Sequence, residues 1–149
     1  MVNYIEIIIG ILIAVMLVIN TVLDISQQEV SVTLCLVIAI LGSLALLISG
    51  ARNIWQLVLG LIPGLFIILV SIISKGRIGM GDGIIVTAMG ILWGIESVFT
   101  SLFLGMCMVG LISIVMLGTG KWQISKRIPF VPFLSVASAL LAVCQVAGL

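Results

Sequence analysis

Histidine is absent from this chain of 149 residues, and charged residues make up only 7% of it. In soluble domains about a quarter of all residues are charged, so the composition excludes an ordinary soluble protein. The cysteines Cys35, Cys107 and Cys144 lie in apolar stretches and form no CxxC pair. Without histidine they predict no metal site, and we interpret them as free thiols. A net charge of +1 offers no basic surface for nucleic acid.

Hydrophobic residues make up 63% of the chain, and apolar runs near the roughly 20-residue length of a membrane span recur along it. Such spans must be helical, because lipid offers backbone groups no other hydrogen-bond partner. We therefore predict an all-α bundle of about six transmembrane helices that forms a single membrane domain over residues 1–149. The predicted segments are 4–23, 30–49, 54–73, 83–95, 98–117 and 130–147.

The fourth segment is unusually short and follows the stretch "GMGD", which we predict to be a loop. A helix over residues 83–95 is roughly 20 Å long, whereas the hydrocarbon core is about 30 Å thick. One end of this helix should therefore lie below the membrane surface, and we assign the Asp82 end to that position. Alternatively, Glu96 lies deep in the membrane, or the helix continues through it.

The basic residues predict the orientation, because cytoplasmic loops carry an excess of them. Arg52 stands alone on one side, and five of the six basic residues occupy the loops after segments one, three and five: Lys75, Arg77, Lys121, Lys126 and Arg127. This places both termini outside and both Asp24 and Asp82 at the cytoplasmic face. The N-terminus has no basic region and no small-residue cleavage site, so the first apolar run is predicted to be a retained helix and not a signal peptide.

Two glycine pairs have the spacing of close helix contacts in membranes: Gly60 with Gly64, and Gly90 with Gly94. Small residues four positions apart let two helix backbones approach closely. We interpret these pairs as packing positions within the bundle.

Asp24 and Asp82 each adjoin an apolar helix end, a position where ionisable residues tend to be functional. Two close carboxylates share a proton, and such a pair can hydrolyse a peptide bond without metal or histidine. The glycines Gly79, Gly81 and Gly83 would let a substrate backbone approach Asp82. More ordinary interpretations stay open: Asp82 caps the helix that opens at Gly83, Asp24 points into water, and the glycines form a flexible turn.

"GMGD" after a basic loop resembles the signature of type IV prepilin peptidases, which are GxGD membrane aspartic proteases. "KRIPFVPFLSVAS", residues 126–138, resembles the start of their last helix, so the resemblance extends through essentially the whole chain. It implies that Asp24 and Asp82 are the catalytic pair and that Gly79 and Gly81 shape the loop beside them. It also implies cleavage of the leader from pilin-like precursors at the cytoplasmic face of a bacterial or archaeal membrane, in pilus biogenesis and protein secretion, without a cofactor.

The chain departs from the family in three respects. "DISQQEVSV" follows Asp24 where a basic stretch and IPN are common, and Ile84 stands where a lysine is common. The tetracysteine domain of larger members is missing, so we expect peptidase activity without methylation of the new N-terminus.

Nearby charges and predicted helix ends indicate which of the two aspartates is ionised and which is protonated. Lys75 and Arg77 precede Asp82, and a helix N-terminus favours its anion, whereas Asp24 follows a helix C-terminus. We therefore predict Asp82 as the ionised base and Asp24 as the proton donor. The alternative functions are a small ion- or proton-translocating protein that uses the same aspartates, and an inactive family member that acts as an assembly partner.

Overall fold

The computed structural model describes residues 4–27, 29–74, 79–118 and 129–147. Six helices account for most of these residues, and no strand occurs among them. In chain order they are α1 (Tyr4–Gln27), α2 (Val32–Ile48), α3 (Ile54–Ile73), α4 (Met80–Trp93), α5 (Ile95–Gly118) and α6 (Val131–Ala147). The predicted all-α bundle and its short fourth helix are confirmed. The basic residues that predict the orientation, Arg52 excepted, lie outside the described residues.

The surface of the bundle is apolar, as a lipid environment requires. α1, α3 and α5 are long and apolar enough to cross a membrane, and α2, α4 and α6 are shorter apolar helices. Large side chains such as Ile11, Phe66 and Phe103 face outward, while Asn20 and Ser101 are fully buried. A soluble protein rarely exposes apolar surface on this scale, so an outer surface formed by large apolar side chains is that of a membrane protein.

Two helices that carry aspartates extend further than their apolar runs predicted. α1 continues to Gln27, so Asp24 lies in its last turns and not after its end. α4 begins at Met80 and not at Gly83, so the prediction of a loop through Asp82 is wrong. The physical reason is that an apolar run marks the stretch that faces lipid or core. Backbone hydrogen bonding continues beyond that stretch by a turn.

A single glycine separates α4 from α5 at the end of the bundle opposite Asp24. Gly94 has a φ of 93°, a backbone conformation that glycine adopts far more readily than other residues. The Arg52 guanidinium donates a hydrogen bond of 2.7 Å to the Trp93 carbonyl, which satisfies an otherwise unpaired group at the helix C-terminus. The alternative in which the fourth helix continues through Glu96 is therefore wrong, since Glu96 lies in the first turn of α5.

The most extensive helix contact joins α3 and α4, and glycines make it possible. A Cβ atom placed on Gly60 would overlap the Gly90 carbonyl group, and one placed on Gly90 would overlap the Gly60 carbonyl. One turn further along α3, a Cβ on Gly64 would meet the side chain and backbone of Thr87. The predicted packing role is confirmed for these glycines, while Gly94 contacts Arg52 instead.

Replacement of Gly60 tests this contact. We expect Gly60→Ala to lower the melting temperature in detergent, because an added methyl group at a closely packed position costs about 1–3 kcal/mol. Gly110→Ala in α5 is the matched control, since no heavy atom lies within 4 Å of a Cβ there. Alanine favours a helix over glycine by about 1 kcal/mol, so the control should leave the melting temperature unchanged or raise it. Equal melting temperatures for the two variants would contradict the close approach of α3 and α4.

Candidate acid pair between helices α1, α4 and α6

Asp24 receives its hydrogen bond from a distant part of the chain. The half-buried carboxylate accepts a hydrogen bond of 3.2 Å from the backbone N–H of Val131, which is the first residue of α6. The first N–H groups of a helix have no partner within it, and the helix dipole there favours a negative charge. The N-terminus of α6 thus offsets the unfavourable C-terminus of α1. The unfavourable helix end is therefore only one part of the surroundings of Asp24, and its assignment as proton donor stays a prediction.

The "PFVPF" stretch, residues 129–133, explains how α6 reaches Asp24. The Phe130 carbonyl accepts hydrogen bonds from the N–H groups of Phe133 and Leu134, so the helix starts immediately after Phe130. Val131 and Leu134 are fully buried, and Phe130 packs against the same core. Pro132 lies in the first turn, where a missing N–H removes no helical hydrogen bond. The motif therefore anchors the N-terminus of α6 against Asp24.

Asp82 is the third residue of α4 and is half-buried. Gly79 occupies the N-cap position, so the interpretation of Asp82 as the helix cap is wrong. Because Asp82 lies in the first turn of α4, the helix dipole still favours the charged form of its carboxylate. Gly81, beside Asp82, packs on Val30, and the next residue, Ser31, binds Asn20 one turn before Asp24. The structure thus places both aspartates at the same end of the bundle.

The three glycines around Asp82 have different surroundings. Gly79 is exposed, and a Cβ atom placed on it would lie 2.8 Å from Asp82 Oδ2. A Cβ on Gly81 would press against Val30, and one on the buried Gly83 would lie 2.6 Å from Ile68 Cγ1. Gly79 therefore borders the open side of the carboxylate, while Gly81 and Gly83 are helical and pack within the chain. Lys75 and Arg77, the predicted electrostatic support, lie outside the described residues.

Asn20 belongs to the site and was not predicted from the sequence. It is fully buried one turn before Asp24, where its amide donates to the Met16 carbonyl at 2.8 Å. Its Oδ1 accepts a hydrogen bond of 2.9 Å from the Ser31 N–H, next to the residue that packs on Gly81. Asn20 thereby connects α1 to the segment that contacts the first turn of α4. The available signal was a polar residue in an apolar helix, four positions from an acid.

An apolar helical bundle with two aspartates at one end defines a membrane protein with a candidate acid pair. The sequence matches the model of the type IV leader peptidase family over residues 11–114, which include Asp24 and Asp82. The chain belongs to this family. Membership implies a leader-peptidase-like function and a pilin-like precursor as the general class of substrate. The match ends before residues 126–138, and comparisons with curated proteins and with solved structures find no match.

Loss of the Asn20 side chain should loosen the connection between α1 and α2. Asn20→Ala leaves the Ser31 N–H without its partner, which costs about 1–3 kcal/mol for a buried group. We expect a lower melting temperature and faster hydrogen exchange at the start of α2. Ser43→Ala is the control, because that hydroxyl bonds only the Ile40 carbonyl of its own helix. Unchanged exchange around Ser31 in Asn20→Ala would contradict the connection.

Proposed function

We propose that this protein is an aspartic endopeptidase that removes the leader peptide from type IV pilin-like precursors. Asp24 and Asp82 act as the acid pair, at the cytoplasmic face of the membrane. The observation that carries the proposal is the placement of both aspartates at the same end of the bundle, on helices α1 and α4, which contact each other although they are far apart in the sequence. The cytoplasmic orientation rests on the basic residues of the predicted cytoplasmic loops.

The chemistry follows from the proximity of two carboxylates, because one proton shared between them removes their mutual repulsion. The ionised carboxylate takes a proton from water while the water oxygen bonds to the scissile carbonyl carbon. The protonated carboxylate gives its proton to the carbonyl oxygen. The gem-diol intermediate then expels the amine as the C–N bond breaks: the amine nitrogen takes a proton from the protonated carboxylate, and a hydroxyl of the intermediate returns its proton to the other carboxylate as the C=O bond re-forms. Hydrolysis is complete without a covalent enzyme intermediate.

The two carboxylates are best described as one titrating unit. Each lies at a helix N-terminus, Asp82 in the first turn of α4 and Asp24 against the first N–H of α6. Both dipoles favour an anion, so helix ends alone assign the shared proton to neither aspartate. The Coulombic interaction still favours a state with one charge on the pair.

A substrate must present an extended peptide bond to this pair. A helical precursor hides its carbonyl groups in backbone hydrogen bonds, so the cleaved stretch has to unwind first. Gly79 has no side chain of its own beside the Asp82 carboxylate, where a Cβ atom would lie 2.8 Å from Oδ2. That opening is the side from which we propose the peptide backbone approaches.

The direct test is cleavage of a co-expressed pilin-like precursor, read from the mass of its N-terminus. Wild type should remove the leader, and Asp24→Asn and Asp82→Asn should each lower the rate by at least about 100-fold, the contribution expected of positioned acid–base groups. Equal membrane levels of the three proteins are the control for folding. Leader removal that persists in either variant would contradict the acid pair. Ion flux in proteoliposomes that depends on both aspartates, with no cleavage, would favour a translocating protein instead.

A proline at position 131 tests the hydrogen bond to Asp24. Val131→Pro removes the donor N–H at the first helical position, where proline is well tolerated. A hydrogen bond to a charged group contributes about 1.5–3 kcal/mol, so we expect the cleavage rate to fall about tenfold or more. Val131→Ala keeps the N–H and is the control for the loss of the valine side chain. If the alanine and proline variants cleave equally, the N-terminus of α6 has no part in the chemistry.

A further inference from the structure

A groove of about 340 Å³ lies between α1 and α6 and opens on the outer surface of the bundle. Among the residues that the structure describes, none that lines it is charged. Its walls include Gly10, Ala14 and Leu17 from α1, Ser135, Ala139 and Ala142 from α6, and Trp93 at the C-terminus of α4. Gly10, Ala14 and Ala139 are exposed, so the groove faces the space that lipid tails would fill.

The two helices that form the groove continue beyond it to the acid pair. Gly10, Leu17 and Asp24 are seven residues apart along α1, a spacing that places them on one face of the helix. On α6, Ser135 lies one turn beyond Val131, whose N–H binds Asp24. Both walls of the groove therefore continue to the hydrogen bond between Asp24 and Val131. At 1.5 Å per residue, the path along α1 from Asp24 to Gly10 is about 21 Å long.

The serines of the groove act as small side chains, since their hydroxyls are already bonded to α6. Ser135 donates to the Pro132 carbonyl at 2.7 Å, and Ser138 donates to the Ser135 carbonyl at 2.8 Å. Gly10 serves no packing within the chain, because no heavy atom lies within 4 Å of a Cβ placed there. Gly60, in contrast, is required by its contact with Gly90. In lipid, small residues mark the places where another helix can approach closely.

We propose that this groove binds the apolar helix of the precursor that follows the cleaved bond, antiparallel to α1. The inference rests on the proposed function, because only a leader peptidase would need such a helix to end at Asp24. The polar leader does not fit a groove without charged residues that faces lipid. An apolar helix does, and its first turn would begin where the peptide bond meets the acid pair.

Site-specific crosslinking locates the helix. A photoreactive amino acid is placed at Ala14, in the groove, or at Ile114, which is exposed on α5 and serves as the control. Asp82→Asn is included so that the precursor stays uncleaved. We expect an adduct from position 14 to the apolar helix of the precursor, and little or none from position 114. A crosslinked pair of enzyme chains from position 14, or a precursor adduct mainly from position 114, would overturn the inference.

A variant whose new side chain fills the groove provides a kinetic test of precursor binding. Gly10→Leu should lower cleavage of a full precursor relative to a peptide that ends shortly after the cleaved bond, by about tenfold in the ratio of kcat/KM values. Gly110→Leu, which also adds a side chain in open space, should leave this ratio unchanged. An unchanged ratio in Gly10→Leu overturns the groove but leaves the peptidase intact. A wild-type protein that cleaves neither substrate overturns the proposed function and this inference with it.

Discussion

The contact between Gly60 and Gly90 fixes the helix that carries Asp82, and the rest of the site depends on it. Lipid tails are as apolar as the helices, so little hydrophobic force drives the helices together. Close approach of backbones supplies the attraction instead, and only glycine permits it at these positions. At roughly 21 Å, α4 is too short to reach both membrane surfaces, and its side chains Ile85, Met89 and Leu92 are buried. Packing on its neighbours therefore determines where its first turn lies.

The acid pair is held by helix termini more than by side chains. Asp82 lies in the first turn of α4, and Asp24 accepts the first N–H of α6 across 107 positions of sequence. Two helix N-termini thus converge on two carboxylates in a largely apolar bundle, where a negative charge is expensive. Asn20 adds a third connection: it accepts a hydrogen bond from Ser31, just before α2, and lies in α1, the helix that carries Asp24. The site is a property of the whole bundle and not of one motif.

Local patterns in the sequence predicted much of this structure, and the long-range contacts escaped them. The apolar runs predicted the number of helices and the shortness of α4, because a helix that spans the membrane needs an apolar run of about 20 residues. Those runs could not locate the true ends of α1 and α4, since the helical backbone continues past the apolar stretch. Nor does any local pattern show that Val131 binds Asp24 or that Asn20 binds Ser31. Such pairings follow from how helices pack, which no single segment determines.

The glycines of this chain separate into two groups that the sequence alone does not distinguish. Gly60, Gly83 and Gly90 have no room for a side chain, so the fold itself requires them. Gly10 has room, and a glycine inside a helix costs about 1 kcal/mol relative to alanine. Ile84, the departure from the family pattern, packs against the core and so belongs to the fold. Gly110 has equal room, so the position of Gly10 in the groove between α1 and α6, and not the room itself, is what fits the proposed binding of an apolar helix.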